Sequence, residues 1–265
     1  MHVTADKAAN LRHAEELLRS VRGADMAILP EMFCCPYDNS CFRAYGEPAG
    51  GAAYQMLSRT ARELGLWLVG GSLPELDDGR VYNTSFVFDP QGVCVARHRK
   101  MHLFDIDVEG GQRFRESDTL SPGNDVTLFD TPWGRMGLCI CFDLRFEELC
   151  RVMALERARV LLAPAAFNMT TGPAHWELLL RQRAVDNRGY VPGAGRERLL
   201  RGVGQFHGLR PLGHGAASVR RGRGGGRHGA GHDQNRRRAP PAAHSVRPAD
   251  GRVRAAAGVT RLSIL

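Results

Sequence analysis

The composition of the chain changes abruptly near residue 191, and this change limits which part can build a hydrophobic core. Residues 192–265 contain fifteen arginines, no lysine, three acidic residues and fifteen of the 31 glycines, with Phe206 as the single aromatic residue. Residues 1–191 carry 21 basic and 25 acidic residues, so the formal net charge of +8 arises entirely from the C-terminal part. We therefore predict a folded domain at 1–191 and a disordered Arg/Gly-rich tail at 192–265.

Within residues 1–191, short apolar runs that favour strands alternate with segments of helical periodicity. Strands are expected near 26–29, 66–71, 81–88, 93–99, 126–130, 135–141 and 159–164. Helices are expected near 5–20, 52–64, 142–155 and 173–187, the first with Thr4 or Asp6 as its cap. This alternation predicts an α/β domain with a sizeable core, and by itself it does not distinguish a sandwich from a doubly wound sheet.

Cys141 closes the apolar run 135–141 and is followed directly by a helix-like segment. This order predicts a thiol at a strand end, facing the positive end of a helix, where the thiolate is favoured over the thiol. A buried structural cysteine is the alternative, and neighbouring Cys139 is expected to have that role.

Three further charged residues accompany this cysteine along the chain. Glu31 follows the strand at 26–29, Lys100 follows the strand at 93–99, and Glu116 lies in a later loop. A glutamate after a strand is usually a solvated surface residue. The chain has only one other lysine, Lys7, and is otherwise rich in arginine. A lysine at position 100 therefore fits a site that requires a compact cation.

In their order and local context these four residues resemble the motifs of the nitrilase, or carbon–nitrogen hydrolase, superfamily, whose members use a Glu-Lys-Cys triad. The resemblance implies an α-β-β-α sandwich, usually paired as a face-to-face homodimer. It implies that Cys141 forms a thioester with an amide substrate and that Glu31 carries the protons. Lys100 and the backbone N–H of Phe142 would stabilise the oxyanion, and Glu116 would orient Lys100 or the attacking water.

A finer resemblance to the omega-amidase branch covers residues 167–179, 184–187 and 100–107. It implies hydrolysis of the terminal amide of short 2-oxo-dicarboxylic acid amides such as 2-oxoglutaramate or 2-oxosuccinamate. Since such a substrate carries a carboxylate, Arg145 is a candidate to bind it; an ion pair with Glu147 or Glu148 is the alternative. A carbamoyl-amide hydrolase, a deaminated-glutathione amidase and a true nitrilase remain open within the same chemistry.

No cofactor and no metal are expected. The seven cysteines have neither a disulfide framework nor zinc spacing, and the glycines between His228 and His232 disfavour a helical ligand pair. The absence of an apolar run of about 18 residues predicts no transmembrane helix. The absence of a leader favours a cytoplasmic protein, with the mitochondrial matrix as an alternative.

Both ends of the chain differ from the family pattern. Helix-like sequence begins almost at once, so the family's first strand is expected to be missing, and the resemblance stops after Val191. We hypothesise a reading-frame shift near residue 190, because codons for residues 203–216 exist whose next frame reads WGNSTACDPWGTVL. The rival interpretation of the tail is a basic arm that binds nucleic acid, which the lack of interleaved aromatics disfavours. The rival to an active amidase is an inactive product that keeps the triad but cannot fold.

Overall fold

The computed structural model describes residues 1–107, 113–167, 172–195 and 262–265. All of them belong to a single compact unit. The predictions made for residues 168–171, for His228 and His232, and for the frame-shifted segments lie outside the described residues.

Helices and strands alternate through the described residues, as the sequence pattern predicts. The helices are α1 (Lys7–Ser20), α2 (Asn39–Tyr45), α3 (Ala52–Leu64), α4 (Glu147–Leu155) and α5 (Gly172–Asn187). The strands are β1 (Met26–Ile28), β2 (Trp67–Val69), β3 (Leu73–Asp77), β4 (Arg80–Phe88), β5 (Cys94–Arg99), β6 (Asp105–Asp107), β7 (Arg113–Arg115), β8 (Thr127–Thr131), β9 (Gly134–Leu138), β10 (Val160–Ala165), β11 (Gly193–Gly195) and β12 (Leu262–Ile264). Short 3₁₀ turns cover Glu116–Asp118 and Cys141–Arg145.

Local sequence explains the helix ends. The Asp6 side chain accepts a hydrogen bond of 3.0 Å from the Ala9 N–H and so caps α1, one of the two caps expected. Helix α3 ends at Gly65, whose φ of 64° lies in the left-handed region that glycine adopts without strain.

The strands form two main sheets and a separate hairpin. The first sheet has the order β12-β1-β2-β4-β3, with β5 also paired to β4; β1 is parallel to both β12 and β2, and the pairs of β4 are antiparallel. The second has the order β11-β10-β9-β8, parallel except for the β8–β9 pair. Strands β6 and β7 pair only with each other.

The two sheets pack face to face, with a helical layer on each outer side. Along β1, Met26 and Ile28 enter the core between the sheets, whereas Ala27 packs under α1 and α3. Along β10, Leu162 faces the same central core and Leu161 packs under α4 and α5. This period-2 alternation gives β1 and β10 two buried faces and produces the four-layer α-β-β-α sandwich.

Some local expectations need correction. The strand expected over 135–141 ends at Leu138, so Cys141 belongs to a 3₁₀ turn and not to the strand. Helix α2, strand β3 and the β6–β7 hairpin were not predicted, because short segments give weak periodic signals.

The two chain ends differ in what they contribute to the sheets. Residues 1–6 form no strand, as expected, and β12 lies beside β1 at that edge of the sheet. Strands β11 and β12 fall inside the segment 192–265.

In the described part of the chain, no helix is both long and apolar enough to cross a membrane.

Candidate active site

The four residues singled out in the sequence come together at one end of the sandwich. Glu31 follows β1, Lys100 follows β5, Glu116 begins the turn after β7, and Cys141 begins the turn after β9. Glu31, Lys100 and Glu116 are fully buried and Cys141 is 8 % exposed. Charged side chains are rarely buried so completely unless they are paired.

Lys100 lies between the two glutamates. Its Nζ atom is 2.9 Å from Glu31 Oε1 and 2.9 Å from Glu116 Oε2. Burial alone would lower the pKa of the Lys100 ammonium, but the charges of Glu116 and Glu31 outweigh it and raise that pKa above its usual range. Lys100 is therefore a fixed cation at neutral pH.

Glu116 is held by neutral donors as well. The Phe104 N–H donates to its Oε2 at 2.6 Å, and the Tyr37 hydroxyl donates a short hydrogen bond to its Oε1. Burial, followed by the charges of Glu116 and Glu31, raises the pKa of Tyr37 well above its usual value, so the phenol stays protonated.

The two oxygens of Glu31 have different surroundings. Oε1 accepts from Lys100 Nζ at 2.9 Å and from Asn83 Nδ2 at 2.8 Å, and the Tyr37 hydroxyl is 3.3 Å away. Oε2 is buried and has no hydrogen-bond partner among the described residues. A buried oxygen without a donor is costly, and it is the atom of this carboxylate that is free to accept a proton.

Cys141 has a strained backbone, with a φ of 46°, which is rare for a residue other than glycine. Burial, followed by the charge of Glu31, raises the pKa of its thiol well above the usual value, although Lys100 and the Ala166 backbone N–H act in the opposite direction. The expectation of a favoured thiolate at a helix start is therefore wrong. The residues after Cys141 form only a short 3₁₀ turn, and burial outweighs any effect of a helix end.

A second buried carboxylate, Asp143, joins the Cys141 turn to the Lys100 segment. Its Oδ2 accepts from the Ile140 N–H at 2.9 Å and from His98 Nε2 at 3.1 Å. Its Oδ1 accepts from the Met101 N–H, the His102 N–H and His102 Nδ1 at 3.2, 2.9 and 2.8 Å. Although burial opposes it, these donors hold the pKa of Asp143 below its usual range.

Arg145 lies beside the site without a carboxylate partner among the described residues. Its Nη2 is 3.1 Å from His175 Nδ1, its guanidinium lies over the rings of Phe142 and Phe167, and its Nε is buried with no partner. Burial lowers the pKa of this guanidinium. The alternative, an ion pair with Glu147 or Glu148, is not formed among the described residues.

Aromatic side chains cluster beside Cys141. Phe142, the residue after it, packs edge-on against Phe104 and Phe146, with ring centroids 5.2 and 5.7 Å apart, and His102 stacks on Phe146 at 3.7 Å. These contacts fix the ring of the residue that follows the thiol.

Sequence inspection missed Tyr37, Asn83, Asp143 and His98. Tyr37 lies six residues after Glu31, and proximity to that glutamate is the one signal that could have indicated it. The described residues contain no group of three or more His, Cys, Asp or Glu side chains placed to hold a metal ion.

A buried thiol, a carboxylate with one free oxygen and a fixed ammonium, set at the end of a four-layer sandwich, define a thiol hydrolase. The family model for carbon-nitrogen hydrolases matches residues 1–216. The chain belongs to the carbon-nitrogen hydrolase family.

Known proteins of this family resemble the chain closely. Omega-amidase NIT2 of Danio rerio is 50% identical over 200 residues, which cover 75% of this chain and 72% of the relative. The Homo sapiens omega-amidase NIT2 is 48% identical over 200 residues with the same coverage. The crystal structure of Saccharomyces cerevisiae Nit3, a member of branch 10 of the nitrilase superfamily, superposes with a TM-score of 0.69 at 37% identity, covering 81% of this chain and 80% of that one.

Proposed function

We propose that the protein is an omega-amidase-like, thiol-dependent hydrolase that releases ammonia from a small carboxylated amide such as 2-oxoglutaramate or 2-oxosuccinamate. The observation that carries the proposal is the pairing of a buried thiol on a strained turn with a carboxylate whose Oε2 atom has no donor. The similarity to omega-amidases supports the choice of substrate class.

In the first half-reaction, Glu31 takes the proton of the Cys141 thiol as the sulfur attacks the amide carbon. Because the thiol is protonated in the free protein, this transfer is part of the attack and needs no preformed thiolate. The new S–C bond gives a tetrahedral intermediate. When the C–N bond breaks, Glu31 returns the proton to the nitrogen, so ammonia leaves and a thioester remains.

In the second half-reaction, Glu31 takes a proton from water as the water oxygen attacks the thioester carbon. The S–C bond then breaks, the proton passes to the sulfur, and the carboxylic acid product ionises. One water is consumed and one ammonia is released in each cycle, and the thiol and the carboxylate return to their starting states.

Lys100 and the backbone N–H of Phe142 stabilise the oxyanion in both halves. The first N–H groups of a helical turn have no acceptor within it, so the N–H of Phe142 is available beside the nucleophile. Loss of one such donor typically costs about 2.7–4 kcal/mol of barrier height. Glu116 contacts Lys100 from the side opposite Glu31 and so holds the ammonium in place.

Arg145 is the proposed partner of the substrate carboxylate. It is a half-buried cation with no acidic partner among the described residues, and it is close enough to Cys141 to interact with it electrostatically. A planar guanidinium binds a carboxylate through two parallel hydrogen bonds, which would fix the substrate's orientation.

We also propose a homodimer formed through the outer surfaces of α4 and α5. Helix α5 has apolar residues on both faces: Trp176 and Leu180 are buried, whereas Leu178 is 61% exposed. Leu155 of α4 is 72% exposed. Exposed apolar side chains on two neighbouring helices mark an interaction surface, so sedimentation should show a dimer that Leu155→Glu with Leu178→Glu dissociates.

The seven cysteines all lie in the described part of the chain and form no disulfide, which supports a reducing compartment, and we propose the cytoplasm. Cell fractionation with an antibody to the protein would test this, and recovery in a disulfide-forming compartment would contradict it.

For the segment 192–265 we retain the proposal of a frame-shifted tail following a hydrolase domain at 1–191. Its support is the change from mixed charge to fifteen arginines without a lysine. Sequencing of DNA and transcript around the codons for 185–195 decides it, because a single intact frame in both would contradict the shift.

Ammonia release from 2-oxoglutaramate by the full chain tests the proposed activity. Cys141→Ala should abolish release, whereas Cys94→Ala, which removes a partly buried thiol on β5, should retain it. Release that survives Cys141→Ala would contradict the assignment.

A further inference from the structure

We propose that Tyr37 and Asn83 are positioning residues for Glu31: they hold its Oε1 atom and leave Oε2 as the single carboxylate oxygen that exchanges a proton with Cys141. The inference rests on the proposed amidase function and adds to it the choice of the reacting oxygen and the residues that impose it.

Asn83 supplies a neutral donor that fixes one side of the carboxylate. It is fully buried on β4, and its Nδ2 donates to Glu31 Oε1 at 2.8 Å. Lys100 Nζ donates to the same oxygen at 2.9 Å. Because the amide carries no charge and does not titrate, it orients Glu31 at every pH at which the protein is folded.

Tyr37 holds the ammonium and both carboxylates in one arrangement. Its hydroxyl donates a short hydrogen bond to Glu116 Oε1 and a longer one, of 3.3 Å, to Glu31 Oε1, and its oxygen accepts from Lys100 Nζ at 3.2 Å. The ring is fixed by edge-on contact with Phe42 at 5.6 Å. The hydroxyl therefore cannot leave this position without breaking ring packing.

Together these contacts make the two oxygens of Glu31 unequal. Oε1 is occupied by donors, whereas Oε2 is buried with none. A proton on Oε2 breaks no existing hydrogen bond, but a proton on Oε1 would displace a donor. The Cys141 proton is thus transferred to Oε2, and the carboxylate need not rotate between steps.

The groups that face Glu31 are Lys100, Glu116, Tyr37 and Cys141. Lys100 remains charged and Tyr37 remains neutral across the working range, since the pKa values of both are raised. Any change in the acidic limb of the pH–rate profile after altering the neutral donors therefore does not arise from titration of Lys100 or Tyr37.

The test compares Asn83→Leu and Tyr37→Phe with Ser85→Ala in the full chain, using 2-oxoglutaramate. Ser85 is a matched control, because it lies two residues along the same strand and its buried Oγ has no hydrogen-bond partner among the described residues. We expect kcat of Asn83→Leu and of Tyr37→Phe to fall about 10- to 100-fold, the range for loss of a hydrogen bond to a charged group. KM should change little, and the acidic limb of kcat/KM should move to higher pH, because the charged carboxylate has lost a donor.

Two other results would overturn the inference. An unchanged acidic limb with wild-type kcat in both variants, or an equal loss in Ser85→Ala, would show that these donors do not select the reacting oxygen. Tyr37→Phe keeps the ring and so decides the question if Asn83→Leu fails to give a cooperative melt. Failure of the proposed function is a separate result, because the wild-type protein would then release no ammonia.

Discussion

Glu31 and Asp143 are two of the fully buried carboxylates at this end of the sandwich, and their surroundings differ. Asp143 accepts five hydrogen bonds, from two backbone segments and two histidines, and neither of its oxygens is free. Glu31 accepts its hydrogen bonds at one oxygen only, and the other has no partner.

The difference separates a group that holds the structure from one that can react. Donors on every side hold the pKa of Asp143 low, so it stays a carboxylate and links the Cys141 turn to the residues after Lys100. Glu31 has a vacant acceptor beside a protonated thiol. For these two carboxylates, donors at both oxygens accompany a structural role in Asp143, and the oxygen without a donor accompanies a chemical role in Glu31.

The largest expected effect follows from neutralising the reactive carboxylate. Glu31→Gln should lower kcat about 10²- to 10⁴-fold, the usual contribution of a general acid–base group. The melting temperature should change little, because the amide oxygen can still accept from Asn83 and Lys100. Rate assays and thermal melts of the same preparation check both parts, and a stable variant with normal kcat would contradict the comparison.

Substitution of Asp143 should affect the stability of the fold, whereas substitution of Glu31 should affect the rate. Asp143→Ala leaves five donors without their acceptor, so we expect a loss of several kcal/mol in the free energy of unfolding, since each buried group left unsatisfied costs about 1–3 kcal/mol. Urea unfolding measures this. If the free energy of unfolding falls by no more than it does for an ordinary surface substitution, the hydrogen bonds to Asp143 contribute nothing to the stability of the fold.

Arg145 tests whether the site recognises a carboxylate. Arg145→Met should raise KM for 2-oxoglutaramate about 10- to 100-fold, corresponding to roughly 1.5–3 kcal/mol for hydrogen bonds to a charged group. A matched amide in which the distal carboxylate is replaced by a methyl group should be hydrolysed equally poorly by both proteins. Equal KM values for the carboxylated substrate would exclude Arg145 from binding.

The smallest effect concerns acid stability. Since the folded-state pKa of Asp143 is depressed, its stabilisation is present above the unfolded value of about 3.9 and is lost as pH falls below it. Asp143→Asn should therefore be less stable than wild type at pH 6, and the gap should narrow from about pH 4 downward. A gap that stays constant over this range would contradict the assignment of a depressed pKa.

Much of this arrangement could be predicted from the sequence. Glu31, Lys100 and Cys141 follow strands with clear apolar patterns, so their common location could be inferred from topology. Asn83 and Tyr37 gave no such signal, because their partners lie far along the chain: Asn83 is 52 residues from Glu31, and Tyr37 is 79 residues from Glu116. A single polar residue inside a strand or loop has no periodicity that indicates its contacts.

The protonation state of Cys141 could not be predicted for a related reason. Its position before a helix-like segment suggested a thiolate, but the pKa depends on burial and on Glu31, which only the folded structure brings close.

The central claim is that Cys141 forms a thioester with the amide substrate while Glu31 carries the proton. Peptide mass spectrometry after rapid acid quench of the full chain with 2-oxoglutaramate tests it most directly. The account predicts an acyl adduct on the peptide that contains Cys141 and none in Cys141→Ala. Turnover without an adduct on that cysteine, or an adduct on another residue, would contradict it.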